Sequence, residues 1–405
     1  MFNFVVYLLL FIISVEIFLF ILVNLIKKDF QWVITEKDEF PFNSNLEFKN
    51  FLKNNFDKTT GWDRKKNTQG SETLNQKKTY FKITNEGFRN TPLKNKKSLI
   101  SVFGDSYAFC RYVNDEKTWE AKLEKKIKYC VQNFGVGNFG LDQAFLKYIK
   151  KEKKISSQEI IFCVVPETIA RVFSYWKHYR EFNNIFAIKP ILNFKKKKLN
   201  IVRIPKLKTD TVSKNYIKFN QKFINKTKKE DIFYKYTFKK KLFKFPYTIS
   251  FVKKLNQNLN IFYLLIVGKL MSIVNKSSFH RFHDQAFSKI LEENIKESHG
   301  FYEEIYFKKN FRKLLNFIDL YFKKKKIKYK ILIVPQYYDL KLKNHNHKYM
   351  NFFKSLDNKN IIDLTDKFKK NKNWKKFYFN ESYGGHLNVI GNKYLANLLF
   401  REKLF

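Results

Sequence analysis

The start of the chain limits most what it can fold into. Residues 2–26, FNFVVYLLLFIISVEIFLFILVNLI, are almost wholly apolar, and Glu16 is the only charge among them. About 25 helical residues span about 37 Å, enough to cross a bilayer with some tilt. A cleaved signal peptide has a basic start, a shorter apolar region and a small-residue cleavage site. This segment has none of these, so it reads as an uncleaved single-pass anchor over residues 1–28, with the membrane as its partner. Lys27 and Lys28 follow the run, and no Lys or Arg precedes it. The positive-inside rule then favours a cytoplasmic domain. In a chain this rich in lysine, two lysines leave the side of the membrane open. Glu16 is explained equally by a partner helix or by simple tolerance.

The formal charge of +44 suggests a polyanionic partner, but the kind of basic residue argues against nucleic acid. Only nine of the 80 basic residues are Arg, and the Lys are spread along the chain. Arg reads bases and grips phosphates bidentately, so its scarcity excludes nucleic acid from the expected partners. A diffuse attraction to anionic lipid headgroups fits the lysines better. Apolar residues make up 44% of the chain, enough for a real core. Cys110, Cys130 and Cys163 form no C-x-x-C pair, which argues against a disulfide framework or a zinc site. His280 and His283 have H-x-x-H spacing without an evident third ligand. No metal and no organic cofactor are expected.

A polar lead-in runs over residues 29–97, with a short strand at 79–84. Strands and helices then alternate. Strands are predicted at 98–104, 129–135, 159–165, 329–335 and 360–364. Helices are predicted at 116–127, 141–151, 167–179, 311–324 and 391–400. Continuous apolar strands between amphipathic helices predict a parallel sheet covered on both faces. The expected fold is a three-layer α/β/α sandwich of flavodoxin-like topology, built from residues 98–183 and 311–405. Residues 184–310 break the rhythm and read as an insertion or cap. Within them, 261–274 is too short an apolar run to span a bilayer and reads as a core or packing helix, with an interfacial membrane helix as the alternative.

Two stretches carry candidate chemistry. The strand 98–104 ends in FGDSYAF, which places Ser106 at the carboxyl edge of the sheet, where open α/β sheets bind ligands. Asp105 can bond nearby backbone N–H groups. An attacking serine needs a base. His386, in YGGHLNVIGNKYLA, follows a glycine pair and precedes a helix. The other stretch, QNFGVGNFGLDQ at 132–143, spells G-x-G-x-x-G with Gly135, Gly137 and Gly140. That is the dinucleotide fingerprint on paper. In a dinucleotide site it would follow the first strand, and an acid would end the next strand. Here a strand ending in a serine comes first, Glu159 starts its strand, and Glu167 lies beyond the strand end.

FGDSYAF, NFGVGNFGLDQ and GGHLNVIGN together resemble the blocks of the SGNH, or GDSL-like, hydrolases. The lead-in TGWDRKKN…TNEGFRN and the stretch 164–182 resemble members linked to cell-surface glycans. The resemblance implies Ser106 as nucleophile, His386 as base, and an oxyanion loop in which the amide of Asn138, beside Gly137, takes the place of the family's block glycine. It implies an esterase or acyltransferase acting on acylated glycans or other small esters. Two departures stand out. The family's Asp before the histidine is replaced by Tyr383, Gly384 and Gly385, which leaves either a Ser–His dyad or an acid such as Glu381. The family's third-block Asn is missing, and Glu167 and Thr168 stand near its place. One lost oxyanion donor costs about 3–4 kcal/mol of transition-state stabilisation. A degenerate glycan-binding or assembly protein, and a dinucleotide enzyme using 135–140, are the alternatives.

Overall fold

A computed structural model describes residues 2–41, 45–182, 184–193, 200–202, 225–381 and 385–405. The chain forms two compact units, one of residues 48–175, 187–207 and 294–405, the other of residues 1–47, 176–186 and 208–293.

The larger unit is built on a five-stranded parallel sheet. Its strands are β1 (Ser98–Gly104), β2 (Cys130–Asn133), β3 (Glu159–Val164), β4 (Lys328–Ile333) and β5 (Ile361–Asp363). Their spatial order is β2-β1-β3-β4-β5, a doubly wound arrangement whose order reverses between β1 and β3. Every residue of β3 is buried, and only Leu99 of β1 is not. Such strands are mostly apolar because helices cover both faces, with Ser98, Ser101 and Glu159 as the buried exceptions. Phe103 and Phe162 point to one face and meet Tyr148 and Phe145 of helix Leu141–Lys151 and Phe322 of helix Ile305–Lys325. Their alternate neighbours Val102, Ile161 and Cys163 point to the other face. They pack with Trp119 and Leu123 of helix Trp119–Ile127 and with Leu395 and Leu399 of helix Val389–Arg401.

Local chemistry moves several expected boundaries. The lead-in strand is half of a hairpin, Thr68–Leu74 against Lys77–Ile83. Asn75 and Gln76, with φ of 48° and 64°, form its two-residue turn. The helix expected from 116 starts at Trp119, because Thr118 caps it by accepting the Ala121 N–H. Of the helix expected over 167–179, Lys177–Tyr179 is a separate 3-10 turn, and the α-helix covers Thr168–Phe173. There Lys189 Nζ donates to Val172 O at 2.9 Å, and the Lys189 N–H takes Tyr175 O.

In the smaller unit the N-terminal helix runs Phe2–Asp29. Residues 3–14 are exposed, whereas Val23 and Ile26 are buried against Phe243, Ile261, Phe262 and Leu265. The apolar run expected at 261–274 is the end of a longer helix, Leu255–Val274. By length and composition, both helices are long and apolar enough to cross a membrane.

Beneath the sheet lies a buried acid, Glu120, which accepts from Cys110 Sγ at 3.1 Å. Burial raises its pKa from 4.5 to about 8. The folded chain keeps this proton in a window where the unfolded chain has lost it, so stability falls as pH rises from about 4.5 to about 8. Glu120→Gln should flatten that part of the stability–pH curve, read as melting temperature across the window.

Candidate active site

Ser106 is delivered by the end of β1. A Cβ on Gly104 would lie 1.8 Å from Cys163 O, so only glycine lets the strand end pass this close to β3. Asp105 then caps the short helix Ser106–Phe109, its Oδ1 accepting the Tyr107 N–H at 2.8 Å. Ser106 therefore opens the helix, where backbone N–H groups lack helical partners.

His386 arrives from the other end of the chain. Phe379 N donates to His386 O at 2.9 Å, and the Tyr378–Leu387 bridge closes the loop. Asn388 caps the following helix by accepting the Ile390 and Gly391 N–H groups. The Tyr107 hydroxyl donates to Gly385 O at 2.7 Å and ties this loop to the serine helix.

The side chains meet in a row. His386 Nε2 lies 2.8 Å from Ser106 Oγ, and His386 Nδ1 lies 2.7 Å from Glu381 Oε1. The His386 N–H also donates to Glu381 Oε1, at 3.0 Å. Glu381 is an acceptor when ionised, so the ring proton sits on Nδ1 and leaves Nε2 to take the serine proton. Ser106 is 6% exposed, His386 also 6%, and the Glu381 side chain 0%. A hydroxyl, an imidazole and a buried carboxylate in that order can activate an oxygen nucleophile. Of the acids weighed from sequence, Glu381 is the one on His386. Tyr383 and Gly384 lie outside the described residues.

The glycine loop leans on the serine helix. Gly135 N donates to Asn133 Oδ1, Asn133 Nδ2 donates to Ala108 O at 2.6 Å, and Val136 N donates to Gly104 O. A Cβ on Gly135 would lie 2.2 Å from Phe109 N. This glycine therefore serves a contact between the loop and the helix of Ser106. Gly137 and Asn138 are half-buried, Asn138 has φ of 64°, and a Cβ on Gly137 would meet nothing within 4 Å. The carbonyl of the peptide between them, Gly137 O, accepts from Trp62 Nε1 at 3.1 Å. Thr168 Oγ1 accepts the Leu141 N–H at 2.9 Å, and Glu167 is paired with Arg171 at 2.7 Å.

Two arginines frame the site, and motif reading passed over both. Arg171 Nη1 lies 2.9 Å from Asp105 Oδ2, which also accepts the Val165 N–H at 3.0 Å. Arg171 Nη1 also donates to Phe139 O at 3.4 Å, so one guanidinium joins the turn of Ser106 to the glycine loop. Burial raises the Asp105 pKa against the pull of Arg171 and of two N–H groups. Arg89 donates to Phe109 O, Cys110 O and Val113 O, with Nε on Asp115 at 2.7 Å. It thereby holds a loop in which Tyr112 has φ of 63° and sets its ring edge-on to His386 at 5.7 Å. A left-handed tyrosine costs about 1–3 kcal/mol unless its surroundings enforce it. The available signal was the rarity of Arg in a lysine-rich chain.

No protein-family model matches the chain, and no curated protein does.

Arg171→Met should cost about 3–5 kcal/mol of stability, because it strands the Asp105 charge. Adding Asp105→Asn should recover part of that loss. Thermal unfolding of both variants measures the difference.

Proposed function

We propose that this chain is a membrane-anchored serine esterase or acyltransferase of the SGNH type, with residues 2–26 as its single-pass anchor. The observation that carries the reading is the row Ser106–His386–Glu381, with separations of 2.8 and 2.7 Å. The strand order supports it: Ser106 follows β1 beside the reversal between β1 and β3, and the glycine loop follows β2.

In this reading His386 Nε2 takes the Ser106 proton as Oγ bonds to the acyl carbon. The carbonyl electrons move onto oxygen, and the amides of Ser106 and Asn138 receive that charge. Collapse of the intermediate expels the alcohol, which takes the proton back from His386. Water or a sugar hydroxyl then attacks the acyl-enzyme by the same route in reverse. Glu381 holds the imidazole in its tautomer and faces the imidazolium that forms. Val165 N, at the end of β3, is committed to Asp105, and the stretch 166–182 directly after it contains no Asn. The oxyanion site thus has one donor fewer than the resembled family, which fits slow or specialised turnover. The acylated-glycan substrate class comes from the resemblance. Lys27 and Lys28 favour a cytoplasmic domain only weakly in so lysine-rich a chain, which leaves the side of the membrane open.

The test is labelling with a fluorophosphonate. Wild type should label, and Ser106→Ala and His386→Ala should not. Glu381→Gln should label roughly a hundredfold or more slower, with its melting temperature kept near that of wild type. Folded wild-type protein that takes no label would overturn the catalytic reading in favour of a degenerate, glycan-binding chain.

A further inference from the structure

The one charge in the apolar run of the N-terminal helix has partners. Glu16 Oε2 accepts the Tyr247 N–H at 2.6 Å, and Oε1 accepts the Thr248 N–H at 3.0 Å and the Thr248 hydroxyl. These two residues open the short helix Tyr247–Val252, whose first N–H groups have no partner within it. Neighbouring carbonyls are taken by side chains as well. Asn258 Nδ2 donates to Phe251 O at 2.8 Å, and Ser250 Oγ donates to Lys244 O at 2.8 Å. At a wet surface water would serve these groups. In hydrocarbon every one must be satisfied from within.

The depths along the helix agree. Glu16 and Asp29 are about 20 Å apart on their common helix. Lys269 Nζ donates to Asp29 Oδ2 at 2.7 Å. From Leu255 to Lys269 the second long helix rises about 21 Å, enough to cover that distance. The chain therefore meets the N-terminal helix at the level of Glu16 and returns to the level of Asp29. On the way Ile261, Phe262 and Leu265 are buried in a cluster with Val23 and Ile26. The opposite side stays bare. Leu259, Tyr263, Ile266, Leu270 and Ile273 are 40–82% exposed and follow one helical stripe. Phe245, Ile249 and Val252 on the short segment are 54–73% exposed. The exposed residues 3–14 belong to the same unit.

We propose that residues 244–274 form a second membrane element, a re-entrant hairpin. It enters the bilayer beside the N-terminal helix, turns at the depth of Glu16 and leaves at the depth of Asp29, with lipid acyl chains covering the exposed stripe. Lys253, exposed, and Lys254, half-buried, stand near the turn, and the hairpin requires their ammonium groups to snorkel toward headgroups. The proposal rests on the reading of the N-terminal helix as an anchor.

The experiment uses the full chain in vesicles of phosphatidylcholine and phosphatidylglycerol carrying a nitroxide at mid-acyl chain. An environment-sensitive fluorophore is attached to single cysteines at Phe11→Cys, Ile249→Cys, Leu259→Cys and Lys359→Cys. The native cysteines are buried, and the unsubstituted chain supplies the labelling background. Labels at 249 and 259 should be quenched to within about twofold of the label at 11, and the label at 359 should not be quenched. Labels at 249 and 259 as unquenched as that at 359, beside a quenched label at 11, sink the hairpin and leave the anchor standing. An unquenched label at 11 sinks the anchor and the hairpin together. In the Glu16→Leu background the label at 249 should lose its quenching while that at 11 keeps it; quenching retained at 249 overturns the assigned role of Glu16.

Discussion

Asp105 has no exposed surface, and its desolvation organises the ground around Ser106. A carboxylate out of water must be paired and hydrogen-bonded or it gives up its charge. Its two oxygens take the Tyr107 N–H, the Val165 N–H and the Arg171 guanidinium. Each of these fixes a different piece: the serine helix, the end of β3 and the helix Thr168–Phe173. Because Arg171 also takes Phe139 O, the glycine loop is drawn into the same network. An ion pair this deep contributes little net stability over apolar residues of similar shape. It does resist displacement, because moving either charge exposes the other to an apolar core. That resistance holds the Ser106 turn, the end of β3 and the glycine loop in register.

The parts that could be read from sequence were those set by short-range pattern. Continuous apolar strands predicted a parallel sheet, because burial on both faces leaves no room for alternation. Ser106 and His386 stood out because each sits at an element junction with glycines beside it. Glu381 was one of two open readings. It lies five positions before His386, a spacing that matches neither the helix nor the strand period. Arg171 was hidden for a different reason: its partner lies 66 residues earlier, and only the sheet order brings them together. The helix expected over 167–179 is cut short by a contact from outside it: Lys189 takes Val172 O, and the α-helix ends at Phe173.

Glu16 and Asp105 present one problem in two settings. Each is a carboxylate among apolar neighbours. Each is matched by the open N-terminus of a short helix, whose dipole and unpaired N–H groups favour negative charge. Asp105 caps its helix from within the same turn. Glu16 caps one more than 200 residues away in sequence. The first arrangement is visible in a tripeptide, while the second appears only once the chain is folded. A lone acid in an apolar helix therefore signals an absent partner more than a tolerated defect, since the cost of leaving it unpaired is high in either medium.

The charge composition supports the same conclusion from the basic side. Seen as a total, +44 suggests a polyanion. Sorted by residue, it separates into a lysine background and a few arginines at places that need a fork. Arg89 reaches three carbonyls and a carboxylate, Arg171 joins two carboxylates to a carbonyl, and Arg64 stacks on Phe109 at 3.6 Å from its ring centre. A lysine ammonium is a point charge with three rotatable donors and cannot hold such sets in one plane. Where a lysine is buried it meets one acid, as Lys147 meets Asp63. Arg64, Arg89 and Arg171 therefore mark places of fixed geometry. The dispersed lysines suit a protein held beside an anionic headgroup layer, where charge acts over a Debye length and asks for no particular geometry.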